Sequence, residues 1–240
     1  MIARRFLRFD ADPVTTARWL LGQRLVRLVD GRRLAGLIVE VEAYLGPVDR
    51  AAHTFGGRHT ARNASMWRGG GHAYVYFSYG MHHCMNVVCG AEGAGTAVLL
   101  RALEPTEGIG EMFARRPAAR RETDLCSGPG RLAQALAIDL AHDGGDLRRD
   151  TSLWIEEVRR RAPGGDRIGT TARIGVAYAE SWAAKPLRFF LRGNPHLSRA
   201  RASGSPGEAQ LRSPLSRSFA IRSAAPRAPN QRSFGGSPQA

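Results

Sequence analysis

Two pairs of apolar runs, each joined by a link too short for anything but a reversal, commit this chain to antiparallel strand pairing. Arg24–Val29 and residues 34–45 flank Asp30-Gly31, a dipeptide suited to the positive φ angles of a tight hairpin. Ala73–Ser78 and residues 83–88 flank Tyr79-Gly80-Met81 in the same way. Asp12-Pro13 reads as a helix start, with apolar positions continuing through Trp19, Leu20 and Leu21. Residues 96–103 read as another strand, ended by Glu104-Pro105 and followed by a helix to about Arg116. Residues 124–130 form a tight turn opening a helix with Leu132, Leu136 and Ile138 on one face, and late strands are expected at 153–158, 172–177 and 187–191. Hairpins and helices mixed without strand–helix–strand spacing predict the α+β class. The expected architecture is a single mixed domain over residues 1–200, a curved antiparallel β-sheet with surrounding helices. Residues 46–72, rich in Gly, Arg, His and Asn without periodicity, read as a long functional loop.

Charge narrows the partners. There are 35 basic against 21 acidic residues, a net +14 at pH 7, and Lys185 is the only lysine. Guanidinium forks onto phosphate, so the excess favours a polyanion and salt-sensitive binding. An arginine-rich coding bias would give the same composition. Cys84, Cys89 and Cys126 are too few and too irregular for a disulfide framework, which fits a reducing cytosol. The amino terminus has no apolar h-region and no run reaches the length of a membrane span, so a soluble, cytoplasmic protein is expected. Residues 201–240 change character: Ser, Pro and Gly dominate, and Arg212, Arg217, Arg222, Arg227 and Arg232 recur with no apolar pattern. Such a segment cannot bury enough surface to offset its ordering entropy, and a disordered tail is expected.

The chemistry concentrates between residues 38 and 86. Strand alternation puts Ile38, Glu40, Glu42 and Tyr44 on one face and Val39, Val41, Ala43 and Leu45 on the other, with the two carboxylates roughly 7 Å apart. Paired carboxylates followed at once by a tyrosine and a glycine-rich loop point to a site, although exposed charges on an edge strand fit the pattern equally well. Tyr76 can point into a pocket while Tyr79, in the turn, projects outward as a side chain able to wedge between bases. Tyr74 and Tyr76 also fit as ordinary strand aromatics. His82-His83-Cys84 with Cys89 lacks any zinc spacing, and neither the zinc-deaminase signature nor a Walker loop is present, so no metal or cofactor is expected. The amides of Ser127-Gly128-Pro129-Gly130, at a helix start, suit a DNA backbone phosphate.

At these residues the chain strongly resembles the alkyladenine DNA glycosylase family, also called the 3-methyladenine or methylpurine DNA glycosylases. The matching runs are IVEVEAYLGPVDRAAH (38–53), YVYFSYGMHHCMN (74–86), VLLRALEP (98–105), CSGPGRLAQALAI (126–138) and ARIGVAYAESWAAKPLRFFLRG (172–193). The resemblance runs in consistent order over roughly residues 5–198. It implies a curved antiparallel sheet with a protruding, DNA-intercalating β-hairpin. Position by position it implies Glu42 as the water-activating general base, and Tyr44, His53 and Tyr76 as the enclosure of a flipped base. It further implies Tyr79, with Gly80 and Met81 beside it, as the intercalating tip, and Asn86 as the group that crowds the exocyclic amine of guanine. Arg101 would steady the water and the target phosphate. His82, where relatives more often carry an aromatic, and the longer link at 90–96 are departures.

The implied reaction is hydrolytic excision of alkylated or deaminated purines (the 3-methyladenine, 7-methylguanine and hypoxanthine class) from double-stranded DNA, leaving an abasic site. A strand-nicking glycosylase needs an amine nucleophile, and Lys185 lies away from the pocket motifs, so water is the expected nucleophile. The implied enzyme acts as a monomer. A non-catalytic sensor of distorted duplex and a base deaminase are the competing readings.

Overall fold

The computed structural model describes residues 9–78 and 80–198; Tyr79 and the tail expected at 201–240 lie outside the described residues. Helix α1 (Pro13–Leu20) starts where its cap predicts. The Asp12 carboxylate accepts from the amides of Val14 and Thr15 at 2.9 and 3.0 Å, and Pro13 occupies the first turn, where a missing N–H costs nothing. Strands β1 (Arg24–Val29) and β2 (Arg32–Tyr44) form the expected hairpin, with Asp30 and Gly31 at φ 48° and 75°, the positive pair that a two-residue reversal requires.

The second hairpin pairs β3 (Ala73–Ser78) with β4 (His82–Cys89). Strand β5 (Thr96–Glu107) joins this hairpin to the first, pairing with Asn86–Cys89 of β4 on one side and with β2 on the other. The distal part of β4, residues 82–85, therefore pairs with β3 alone. Strand β6 (Leu153–Glu156) adds beside β1. Strands β7 (Ile168–Thr171) and β8 (Arg188–Leu191) pair with each other, and β8 also lies along Glu40–Glu42 of β2. All pairs are antiparallel and the sheet is curled, as the α+β reading expected.

Irregularities at the middle of the sheet matter most. The β2–β5 register passes from Ile38↔Leu103 to Glu40↔Ala102 and then to Val41↔Leu100, so Val39 and Arg101 have no opposite number. Bulges bend a strand and re-aim its side chains. Strict alternation over 38–45 is corrected here: Ile38 joins Val41 and Ala43 in the main core, whereas Glu40 and Glu42 both turn toward Arg101.

Other boundaries differ for identifiable reasons. Strand β5 does not stop at Glu104-Pro105; Pro105 pairs with Gly36, and β4 reaches only to Leu99, so the missing proline N–H falls on a locally free edge. Gly36 permits the close approach, since a Cβ there would lie 2.8 Å from the Glu104 carbonyl oxygen. Helix α2 (Ile109–Arg115) follows, then α3 (Glu122–Leu125) and α4 (Pro129–Ala135). Leu132, Leu136 and Ile138 are buried as expected, although α4 ends before Ala137, which adopts φ 50°. Residues 46–72 hold 3-10 turns at Gly46–Val48, Phe55–Gly57 and Ala61–Trp67. The expected strand at 172–177 is absent. Its backbone and side chains are spent on the site instead, and the chain goes on into a 3-10 turn at Ala177–Trp182.

The main core lies between the sheet and α1, α2 and α4, with Leu20, Leu25, Leu100, Leu103, Met112 and Leu132 fully buried. Each such side chain contributes roughly 1.5–3 kcal/mol on leaving water. No helix among the described residues is long and apolar enough to cross a membrane.

Candidate active site

Glu40 and Glu42 are both completely buried, which excludes the edge-strand reading. A buried carboxylate must be paired and hydrogen-bonded, and these two share one guanidinium. Arg101 donates from Nε to Glu40 Oε1 at 2.9 Å, and its Nη1 lies 3.1 Å from Glu42 Oε1. Its Nη2 donates to Ser198 Oγ at 3.2 Å. Glu40 also accepts from Arg188 Nε at 2.8 Å and from the Ser198 amide and hydroxyl, both at 2.6 Å. Burial alone would raise the Glu40 pKa, but the Arg188 hydrogen bond, the Arg101 charge and Ser198 outweigh it and hold the group below the ordinary carboxylate value. Burial would likewise lower the Arg101 pKa, and the charges of Glu42 and Glu40 raise it instead.

Glu42 has its own set of donors. The Ile174 amide reaches Oε1 at 2.8 Å and the Tyr44 hydroxyl reaches Oε2 at 2.9 Å. Ile174 is brought there by its neighbour: Arg173 is fully buried, forks onto Asp49 at 2.6 and 2.9 Å and donates to the Ala43 carbonyl at 3.0 Å. The same guanidinium lies 4.7 Å from the Tyr44 ring centroid. Asp49 in turn accepts from the amides of Leu45 and Ala51, which fixes the start of the 46–72 loop.

Aromatic rings stand beside the carboxylate. Tyr44 and Tyr76 pack on a small buried cluster that contains Tyr74, Ala52 and Met66. Tyr76 stacks on Tyr74 with centroids 5.3 Å apart, and His53 meets it edge-on at 4.6 Å and 75°. Burial, then the negative charge of Glu42, lifts the Tyr44 pKa well above its ordinary value. Burial likewise lifts that of Tyr76, with Cys84 adding to it. His53 Nδ1 lies 2.6 Å from the Tyr74 hydroxyl. Burial, and then the Arg62 and Arg58 charges, pull its pKa down to about 4, so the imidazole is neutral near pH 7. Asn63 holds the loop around it, donating to the carbonyls of His53 and Arg58 at 3.0 and 2.9 Å. Asn86 is buried and donates to the Tyr74 carbonyl at 3.1 Å.

The structure therefore brings together Glu42, Arg101, Tyr44, Tyr76, His53 and Asn86. Gly80 and Met81 sit apart, in the β3–β4 turn, where the Met81 amide donates to the Ser78 carbonyl and the Met81 side chain is 68% exposed. Ser127 forms an isolated bridge with Ala102, one residue past Arg101, and Gly128 precedes α4 with φ 142°. The hairpin leans on that helix: a Cβ at Gly130 would lie 2.9 Å from His82 Cβ. Among the described residues, no group of three or more His, Cys, Asp or Glu could hold a metal ion. Sequence reasoning missed Tyr74, Asp49, Arg173, Arg188 and Ser198. Only Tyr74 carried a signal, its i, i+2 relation to Tyr76.

Rings banked beside a buried and multiply held carboxylate define an enzyme-like site for a flat, ring-shaped ligand. The chain belongs to the methylpurine-DNA glycosylase family, whose sequence profile matches residues 7–195. It is 48% identical over 199 residues to the DNA-3-methyladenine glycosylase of Mus musculus, covering 79% of this chain and 59% of that protein. Identity to the Homo sapiens protein of the same name is also 48% over 199 residues, with 79% and 66% covered. A putative 3-methyladenine DNA glycosylase of Bacillus cereus is 44% identical over 201 residues, with 80% and 96% covered. The chain thus spans less than two thirds of the mammalian relatives. The family resemblance read from the five motifs is borne out.

Proposed function

We propose that this protein is a monofunctional DNA glycosylase that excises alkylated or deaminated purines from double-stranded DNA by hydrolysis. Family membership and the names of its relatives support the reaction class, and the state of Glu42 carries the mechanism. A carboxylate offers about four lone-pair sites. The Ile174 amide donates to Oε1 and the Tyr44 hydroxyl to Oε2, with the Arg101 charge 3.1 Å from Oε1, so Oε2 keeps a lone pair for a water.

In this reading a damaged purine leaves the stack and lies against Tyr44, Tyr76 and His53. The bond from C1′ to the purine nitrogen breaks, and the base departs with the electron pair. Water oxygen bonds to C1′ while Glu42 takes its proton, and the carboxylate also steadies the positive charge that develops on the sugar. Cationic bases such as 3-methyladenine gain from the electron-rich rings and leave without further protonation. Neutral hypoxanthine needs a proton as it departs. Asn86 excludes guanine by crowding its exocyclic amine, a clash built against the wrong ligand. Tyr79 fills the vacated space in the duplex, with Gly80 and Met81 beside it, while Ser127 and Gly128 contact the backbone. Lys185, whose Nζ lies 3.2 Å from the Trp182 ring centroid, is not the nucleophile, and the product is an abasic site.

A duplex carrying one hypoxanthine, incubated under single-turnover conditions and then heated in alkali, tests the proposal. Cleavage only after alkali is the expected result. Cleavage before alkali would indicate lyase chemistry, and none after it would leave only a binder of distorted DNA. Glu42→Gln should abolish the signal while retaining lesion binding, since general-base assistance contributes about 10²–10⁴-fold. A near-parental rate in that variant would remove Glu42 from the mechanism.

A further inference from the structure

Arginine and carboxylate prefer to meet as two forks, with two parallel N–H bonds to two oxygens. Arg101 and Glu42 do not. Their nearest approach is Nη1 to Oε1, at 3.1 Å, and the other two nitrogens of the guanidinium are engaged elsewhere. Nε is taken by Glu40 and Nη2 by the Ser198 hydroxyl, and that hydroxyl in turn donates a hydrogen bond to Glu40. Glu40 is neutralised independently of Arg101 by Arg188, which also donates from Nη1 to Thr171 Oγ1. The bulge that leaves Arg101 without a cross-strand partner aims the side chain into this arrangement.

We propose that Glu40 is a positioning residue for the chemistry assigned to Glu42, an inference that rests on that assignment: with Ser198 it holds Arg101 by its Nε edge, so that one Glu42 oxygen stays open to the attacking water. Without Glu40 the Nε edge of Arg101 loses its anchor, and the guanidinium is released to turn and grip Glu42 with two prongs. Such a grip would occupy the remaining lone pair on Oε2 and place the whole guanidinium charge against the base. Groups facing Glu42 from the surrounding elements are Arg101 on β5, the Tyr44 and Tyr76 hydroxyls, Cys84 on β4, and Arg173 with the Ile174 amide from the 172–176 segment. Of these, only Arg101 and Arg173 carry positive charge, and Arg173 is already forked onto Asp49.

The test is Glu40→Gln, followed by single-turnover excision of hypoxanthine from duplex, lesion-duplex affinity and thermal midpoint. Excision should slow on the order of 10²-fold, the scale of a small misplacement in a reacting centre, while affinity stays near parental. A parental rate would overturn the proposal, as would a rate loss matched by an equal loss of binding. If Glu40→Gln does not fold, Ser198→Ala, which removes only the hydroxyl, should slow excision in the same direction without loss of affinity, and a parental rate there would overturn it equally. Glu42→Gln separates the two levels. Parental activity in that variant sinks the assignment of the base, whereas a dead Glu42→Gln beside a parental Glu40→Gln sinks only the role of Glu40.

Discussion

A buried imidazole held neutral beside Tyr74 and Tyr76 must cost the protein stability in acid. Burial, with Arg62 and Arg58 adding to it, lowers the His53 pKa from 6.5 to about 4. Above pH 6.5 the ring is neutral in both folded and unfolded chains and contributes nothing to pH dependence. As pH falls below 6.5 the unfolded chain takes up a proton that the folded one refuses, so unfolding is favoured until the folded ring also protonates near 4. The sign is therefore a loss of stability on acidification through the window from 6.5 to about 4. At about 1.36 kcal/mol per pH unit the loss is roughly 3 kcal/mol, an upper value because part of the ring meets water. The perturbation is His53→Gln, which keeps a polar group facing the Tyr74 hydroxyl and removes the titration. Denaturant unfolding at pH 7 and at pH 4.5 should show the parent losing more stability between the two than the variant does, by about 2 to 3 kcal/mol. Identical losses would refute the argument and would mean that His53 titrates as if exposed. A ring still neutral at pH 5 also keeps like charge away from a cationic base, so binding of a 7-methylguanine duplex should not weaken between pH 7 and pH 5 through this residue.

Two further substitutions probe the pocket and its frame. Asn86→Ser shortens the side chain proposed to crowd guanine, and release of undamaged guanine from duplex, followed by chromatography of the freed bases, should rise; guanine release no greater than in the parent would show that Asn86 does not guard the pocket. Arg173→Met leaves Asp49 buried without its cation and should destabilise the fold by about 3–5 kcal/mol in urea, with excision falling as well because Ile174 no longer presents its amide to Glu42; a loss below about 1 kcal/mol would show that Asp49 finds other compensation.

What could be read in advance was local, and what could not was remote. The Asp12 cap and the Asp30-Gly31 hairpin each depend on residues within a few positions of one another, so spacing alone discloses them. The pairing of Glu40 with Glu42 on one face was legible too, although alternation misplaced Ile38, because a bulge depends on the partner strand and leaves no mark on its own sequence. The residues that hold the site in place follow no such rule. Arg173 reaches Asp49 across 124 positions and Ser198 reaches Glu40 across 158. The segment carrying Arg173 even looked like a strand, since alternation cannot distinguish an apolar run that pairs from one whose amides serve a side chain. Glu42 accepts from the Tyr44 hydroxyl on β2 and the Ile174 amide of the 172–176 segment and stands against Arg101 of β5, so its surroundings exist only once three segments remote in sequence have met. The motif supplies the carboxylate. The completed fold gives it its partners, and substitutions at Ser198 or Arg173, far from the motif in sequence, should therefore disturb the proposed base as surely as changes within the motif.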